Sequence, residues 1–120
     1  MRLVASLLVC AFALPLQAEE KVLNLYNWAD YVPQQALQRF QAETGIRVKY
    51  DSFDSTEVLE SKLLTGGSGY DLVFPSSSVL GRAISAKALQ PVGELANGGN
   101  LDPELLAKLA GIDPGNAYGV

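Results

Sequence analysis

The chain of 120 residues carries nine Lys and Arg against thirteen Asp and Glu, a formal net charge of −4, with one cysteine and no histidine. The missing histidine excludes Ser-His and Cys-His nucleophilic sites and the usual zinc ligand sets within this chain, and neither a metal nor a cofactor is predicted. The acidic balance, without any cluster of Lys or Arg, argues against nucleic acid as a partner.

Residues 1–18 have the pattern of a secretory signal peptide. Arg2 supplies a positive start, an apolar stretch follows, and Ala18 precedes the first charged residues of the mature part. The apolar stretch is shorter than the roughly 20 residues of a membrane span, although an anchor stays the alternative. Cys10 lies in this segment, and the large valine before it departs from a lipoprotein signal. We therefore expect cleavage after Ala18, export to the periplasm, and no disulfide in residues 19–120.

Residues 19–120 begin with an alternation of strand and helix patterns. Leu23 and Leu25 alternate in a first strand that runs into Trp28. A helix over 33–43 follows, and Gly45 is expected to stop it. The second strand is predicted from apolar residues at every other position, namely Ile46, Val48 and Tyr50.

Further along the chain the same alternation continues. Asp54 and Glu57 are interpreted as a capping box that opens a second helix. The buried face of this helix is predicted to consist of Val58, Leu59 and Leu63. A glycine-rich turn over 66–69 leads to a third strand over 70–74, whose nearly continuous apolar end predicts burial on both faces.

Two more helices and a last turn complete the pattern. The serines at 76–78 are N-cap candidates for a third helix, whose apolar residues are Val79, Leu80, Ala83 and Ile84. An Asp-Pro-Glu sequence at 102–104 provides the cap, the first-position proline and the first-turn acid of a further helix. Residues 113–116 form a turn, and 118–120 resemble the opening of another strand. Strands that alternate with helices predict an α/β fold around a parallel sheet.

Two aromatic residues and a carboxylate, Trp28, Tyr31 and Asp30, follow the first strand. Open α/β sheets bind their ligands at the carboxyl ends of the strands. Aromatic faces attract cations by about 0.5–2 kcal/mol each and pack against aliphatic chains, which suits an amine-bearing chain. Core packing is the alternative for the aromatic residues. Asp30 could pair with an ammonium group or cap the following helix.

The three serines after Pro75 have a second interpretation beside helix capping. A helix start at the carboxyl edge of the sheet presents free backbone N–H groups and hydroxyls. Because one serine suffices for the cap, the others could line a ligand pocket next to the aromatic residues.

Four segments resemble the amino-terminal lobe of bacterial periplasmic polyamine-binding proteins, with the putrescine-binding branch the most similar. They are Tyr26–Tyr31, Phe40–Val48, Asp54–Leu63 and Tyr70–Ser76, and the match continues over 101–106 and 113–116. The resemblance implies a periplasmic solute-binding protein type II-like lobe. It also implies that the whole protein binds polyamines, putrescine first, and delivers them to the membrane permease of an ABC importer without catalysis.

The resemblance also implies roles for individual residues. In such families aromatic rings flank the methylene chain of the ligand, while hydroxyls and carboxylates take its amines. Carried over to this sequence, Trp28 and Tyr31 would be the aromatic walls, Ser76 a polar contact and Ser78 a second polar candidate. Ala29 stands where relatives carry a hydroxyl residue, so that only its backbone is left to contact the ligand.

The chain is about a third as long as a family member, so the resemblance implies a truncated lobe, with the second lobe missing. Because that lobe supplies the principal carboxylates, we expect little polyamine affinity from residues 19–120 alone. Three alternatives stay open: a receptor for another small solute, a truncated product without function, and a secreted α/β enzyme whose catalytic residues lie elsewhere.

Overall fold

The computed structural model describes residues 20–120, so the predicted signal peptide over 1–18, with Cys10, lies outside the described residues. The strands are β1 (Val22–Trp28), β2 (Arg47–Phe53) and β3 (Leu72–Val73). The α-helices are α1 (Gln34–Thr44), α2 (Thr56–Leu64), α3 (Ser77–Ser85) and α4 (Pro103–Leu109), with a short 3-10 helix at Gly98–Asn100. Within 20–120 no helix combines the length and the apolar character that crossing a membrane requires.

The three strands form a parallel sheet in the order β2-β1-β3. β1 and β2 pair along their whole length, from Val22 opposite Arg47 to Trp28 opposite Phe53. β3 pairs with the middle of β1, where Tyr26 lies opposite Val73. The predicted α/β fold with a parallel sheet is confirmed, and the carboxyl ends of all three strands meet at one edge.

The core lies between one face of this sheet and helices α2 and α3. Its buried residues are Tyr26, Phe53, Leu59, Leu63, Val79 and Ala83. The predicted burial of Leu59 and Leu63 is confirmed, with exposed fractions of 0% and 3%. Full burial of such an aliphatic side chain contributes about 1.5–3 kcal/mol, so this face is what holds the two helices on the sheet.

Helix α1 ends where the sequence predicts, and helix α4 begins where the sequence predicts. Gly45 follows α1 in the left-handed conformation, with φ of 69°, and its N–H donates to the Gln41 carbonyl. Asp102 caps α4 by accepting from the N–H of Glu104, and Pro103 occupies the first helical position. Both helix boundaries therefore follow from local chemistry.

The predicted capping box of α2 is wrong. The N-cap is Ser55 in an extended conformation, and its hydroxyl accepts from the N–H of Val58 at 3.3 Å. Asp54 lies one residue too early to reach these N–H groups. The predicted burial of Val58 is wrong as well, because the turn of the helix leaves its side chain 48% exposed.

The third strand is shorter and more exposed than predicted. Only Leu72 and Val73 belong to β3, and the expected burial on both faces is wrong, because Leu72 is 42% and Phe74 is 40% exposed. β3 lies at the edge of the described sheet, paired with β1 alone. Burial on both faces requires a strand inside the sheet that is covered by helices on each side.

The segment 118–120 is not a strand, so that prediction is also wrong. Its backbone turns around Asp113, which is 1% exposed. The Asp113 carboxylate accepts from the N–H groups of Ala117, Tyr118 and Gly119 at 3.1, 2.8 and 2.9 Å. Backbone donors that are bound to a carboxylate are not free for a strand partner.

Candidate ligand-binding site

The turn that follows β1 carries the predicted aromatic residues, and we call residues 28–31 the binding turn. The last residue of β1, Trp28, lies opposite Phe53, the last residue of β2. The N–H of Ala29 donates to the Phe53 carbonyl at 3.0 Å, and the N–H of Tyr31 donates to the Trp28 carbonyl at 3.5 Å. The sheet pairing therefore continues one residue into the turn before the chain reverses.

The rings of Trp28 and Tyr31 form an open aromatic pair. Their centroids are 6.2 Å apart and their planes are inclined by 34°. Trp28 is half-buried against Phe53, with ring centroids 4.6 Å apart, whereas Tyr31 is 71% exposed. Trp28 thus packs partly on the core, as the core-packing alternative expects, whereas the ring of Tyr31 lies outside the core.

The aromatic contacts continue from Trp28 into the core. Phe53 packs edge-on against Tyr26 at 4.8 Å, and Tyr26 stacks on Tyr70 at 4.4 Å with parallel planes. The Tyr70 phenol donates to the Asp51 carboxylate at 2.9 Å. Partial burial, and then the bond to Asp51, raise the pKa of Tyr70 to about 12. Trp28 is therefore the outer end of a continuous series of packed aromatic rings.

Asp30 adopts a left-handed conformation with φ of 62° in the middle of the binding turn. The interpretation of Asp30 as a helix cap is wrong, because the N-cap position of α1 is Pro33 and no side chain caps this helix. Asp30 is exposed instead, so its carboxylate is open to a cationic group. Left-handed backbone is tolerated by aspartate better than by most residues, which fits a tight turn.

Behind the binding turn lies a mostly polar cavity of about 390 Å³ between α1 and the sheet. Its lining consists of Ala29, Asp30, Val32, Gln34, Leu37, Gln41, Val48, Tyr50 and Ser52. The Tyr50 phenol donates to the Trp28 carbonyl at 3.0 Å, and the Gln41 side-chain oxygen accepts from the N–H of Val48 at 2.8 Å. Sequence reasoning missed the contact of Tyr50 with Trp28. The alternating pattern of β2 indicates which face of the strand carries Tyr50, but it does not indicate which residue the phenol contacts.

The predicted serines lie at the start of α3. Ser76 occupies the N-cap position without a side-chain cap bond, and its hydroxyl lies 3.2 Å from that of Ser78. Next to the last β1–β3 pair, Tyr26 with Val73, the N–H of Phe74 donates to the Tyr26 carbonyl at 3.2 Å. Ser76 therefore follows at the same edge of the sheet as the binding turn. The serine hydroxyls are not used by the helix cap and can serve a ligand.

The structure brings the predicted residues to one edge of the sheet but not into one cavity. Trp28, Ala29 and Tyr31 share the binding turn, whereas Ser78 lines a separate surface cavity of about 560 Å³ with α3 and Ile112. The cavity behind the turn contains Ala29 and Asp30. Along residues 20–120 no three His, Cys, Asp or Glu side chains are grouped so that they could hold a metal ion. The groups that this edge offers to a ligand are aromatic rings, serine hydroxyls and the single carboxylate of Asp30.

Comparison with known families gives a match over most of the chain. The sequence model of the bacterial extracellular solute-binding protein family covers residues 27–119. This range begins at Asn27, near the end of β1, and includes every described strand and helix that follows β1.

Two curated relatives are nearly half identical to the chain. The putrescine-binding periplasmic protein PotF of Escherichia coli is 48% identical over 118 residues, which cover 97% of this chain and 32% of PotF. The putrescine-binding periplasmic protein SpuD of Pseudomonas aeruginosa is 48% identical over 105 residues, which cover 86% of this chain and 29% of SpuD. The chain thus spans about a third of the length of the curated relatives it matches.

The described fold also matches a solved structure. The crystal structure of the spermidine/putrescine ABC transporter substrate-binding protein PotD from Streptococcus pneumoniae superposes with a TM-score of 0.77 at 34% identity. The superposition covers 84% of this chain and 31% of PotD. The mixed α/β arrangement of the described residues therefore corresponds to part of a solute-binding protein lobe.

Proposed function

Because the chain belongs to the family of bacterial extracellular solute-binding proteins, we propose that it supplies the aromatic part of a polyamine-binding site, with putrescine as the preferred ligand. The whole protein would bind the amine in the periplasm and deliver it to the membrane permease of an ABC importer. Recognition and release, without a chemical step on the ligand, are the whole of this activity.

The observation that carries the proposal is the open pair of Trp28 and Tyr31 at the carboxyl edge of the sheet. A diaminoalkane has a flexible apolar chain with an ammonium group at each end. These two rings, with centroids 6.2 Å apart and planes inclined by 34°, offer apolar area to the chain and negative quadrupoles to an ammonium group. The exposed carboxylate of Asp30 and the hydroxyls of Ser76 and Ser78 add hydrogen-bond acceptors at the same edge.

The names of the relatives support this choice of ligand class. PotF and SpuD are named for putrescine and PotD for spermidine and putrescine, and PotF and SpuD are named as periplasmic. PotD is also named as a substrate-binding protein of an ABC transporter. These relatives favour amine binding over the two alternatives of a different small solute and of enzyme catalysis.

The described residues form an open half of such a site. Tyr31 is 71% exposed, so the site remains in contact with water. Ion pairs and cation–π contacts are weak in water and become strong when the ligand is enclosed. We therefore expect the chain alone to bind putrescine with little or no affinity, because a wet half-site does not offset the entropy lost on association.

Calorimetric titration of two proteins tests the proposal. One is the chain itself, and the other is a chimera in which residues 20–120 replace the matching segment of PotF. Putrescine should bind the chimera tightly and the chain weakly or not at all. A chimera that folds and binds a neutral sugar or an amino acid but not putrescine would favour another solute, and turnover of the amine would favour an enzyme.

A further inference from the structure

We propose that Tyr50 is a positioning residue for the aromatic wall, and that its phenol holds the Trp28 carbonyl so that the binding turn keeps its shape. Tyr50 lies on the sheet face that carries α1, opposite the face of the Trp28 and Phe53 rings, and its phenol contacts the backbone carbonyl of Trp28. The importance of Tyr50 for ligand binding rests on the proposed function, whereas its role in holding the turn does not.

The binding turn is held from two sides of the sheet. On the core face, the Phe53 ring packs against the Trp28 indole at 4.6 Å, and the Phe53 carbonyl accepts from the Ala29 N–H at 3.0 Å. On the opposite face, the Tyr50 phenol donates to the Trp28 carbonyl at 3.0 Å. Residues 50 and 53 differ in parity along β2, so their side chains point to opposite faces.

On the α1 side the turn borders a cavity. Ala29 and Asp30 border the cavity of about 390 Å³, and Tyr50 lines the same cavity. The other hydrogen bond to the Trp28 carbonyl, from the Tyr31 N–H, is long at 3.5 Å. The bond from the Tyr50 phenol is therefore the shorter of the two hydrogen bonds that fix the orientation of this carbonyl.

The turn also contains a conformation that must be held. Asp30 has φ of 62°, a region that side-chain-bearing residues occupy infrequently. Such a conformation persists when its surroundings determine it, and relaxes when a tie is removed. Removal of an ordinary hydrogen bond changes a local opening equilibrium about fivefold, so loss of the phenol should leave the fold intact and loosen the turn.

The chain offers a direct probe, because Trp28 is its only tryptophan. Tyr50→Phe is compared with Tyr118→Phe, which removes a phenol from the carboxyl-terminal loop. For Tyr50→Phe we expect stronger quenching of Trp28 fluorescence by acrylamide and about fivefold faster hydrogen exchange at the Ala29 amide. Tyr118→Phe should change neither. Identical quenching and exchange in Tyr50→Phe and the wild type, or equal changes in both variants, would overturn the inference.

A second pair of variants keeps the test valid if Tyr50→Phe does not fold. The residues 4-aminophenylalanine and 4-methylphenylalanine at position 50 have nearly equal size, but only the first carries a hydrogen-bond donor. The amino variant should reproduce the wild-type quenching and exchange, and the methyl variant should not. Equal behaviour of the two would show that the donor is irrelevant. Because no ligand is added, the result does not depend on whether putrescine binds.

Discussion

Trp28 and Phe53 contact each other through both backbone and side chains. They are the final residue pair of β1 and β2, and their ring centroids are 4.6 Å apart. The position of the indole is therefore determined by the register of the sheet and not by a free loop. The ring centroid of Tyr31 lies 6.2 Å from that of the indole, and Tyr31 is 71% exposed. The pair therefore combines one ring anchored on the core with one that is open to solvent.

Ala29→Ser is expected to strengthen putrescine binding in the PotF chimera by about tenfold. Ala29 is exposed in the binding turn, so a hydroxyl there can reach an ammonium group, and a hydrogen bond to a charged group contributes about 1.5 kcal/mol. Isothermal calorimetry measures the change. Ala88→Ser, far from the turn in sequence, is the control. Weaker or unchanged binding would contradict a role of this position in ligand contact.

Asp113→Ala is expected to lower the free energy of unfolding by about 3 kcal/mol, because it leaves the N–H groups of Ala117, Tyr118 and Gly119 without their acceptor. Asp102→Ala is the matched control, since it removes a single cap bond to Glu104 and should cost about 1 kcal/mol. Urea unfolding followed by circular dichroism gives both values. Equal losses in the two variants would argue against the network around Asp113.

Stability should fall as the pH rises from about 10 toward 12, because the pKa of Tyr70 is raised from 10.0 to about 12 in the folded chain. Below that range both states keep Tyr70 neutral and its contribution is fully present. Within it the unfolded chain ionises first, which favours unfolding. Tyr70→Phe should show a smaller loss between about pH 10 and 12 when both proteins are measured at the same ionic strength. A loss of the same size in the variant and the wild type would rule out Tyr70 as the cause.

Local patterns in the sequence predict much of this fold. Three of these patterns act within a few residues of the chain. They are the alternation around Leu25, the glycine after α1 and the Asp-Pro-Glu sequence that starts α4. β1, the end of α1 at Gly45 and the cap at Asp102 are accordingly confirmed. The choice between Asp54 and Ser55 as the cap of α2 was beyond such reasoning, because both residues are good caps and one position separates them.

Other features depend on neighbours that a single sequence does not specify. The exposure of Leu72 follows from the position of β3 at the sheet edge. An apolar run in the sequence does not distinguish an edge strand from an inner strand. The bond from Tyr50 to Trp28 requires the register of β1 against β2. A site at Trp28 and Tyr31 therefore stays a prediction from the sequence, whereas the residues that support these two rings could not be predicted from it. Whether Ser76 and Ser78 contact the ligand stays a prediction.

The central claim is that the Trp28 ring is a wall for a cationic ligand, and Trp28→Ala in the PotF chimera tests it most directly. Loss of the ring removes a cation–π contact and apolar area, so putrescine affinity measured by calorimetry should fall about tenfold or more. Val58→Ala is the control, since it truncates an apolar side chain that is 48% exposed on α2. A Trp28→Ala chimera that folds and binds putrescine as tightly as the Val58→Ala chimera would contradict the account.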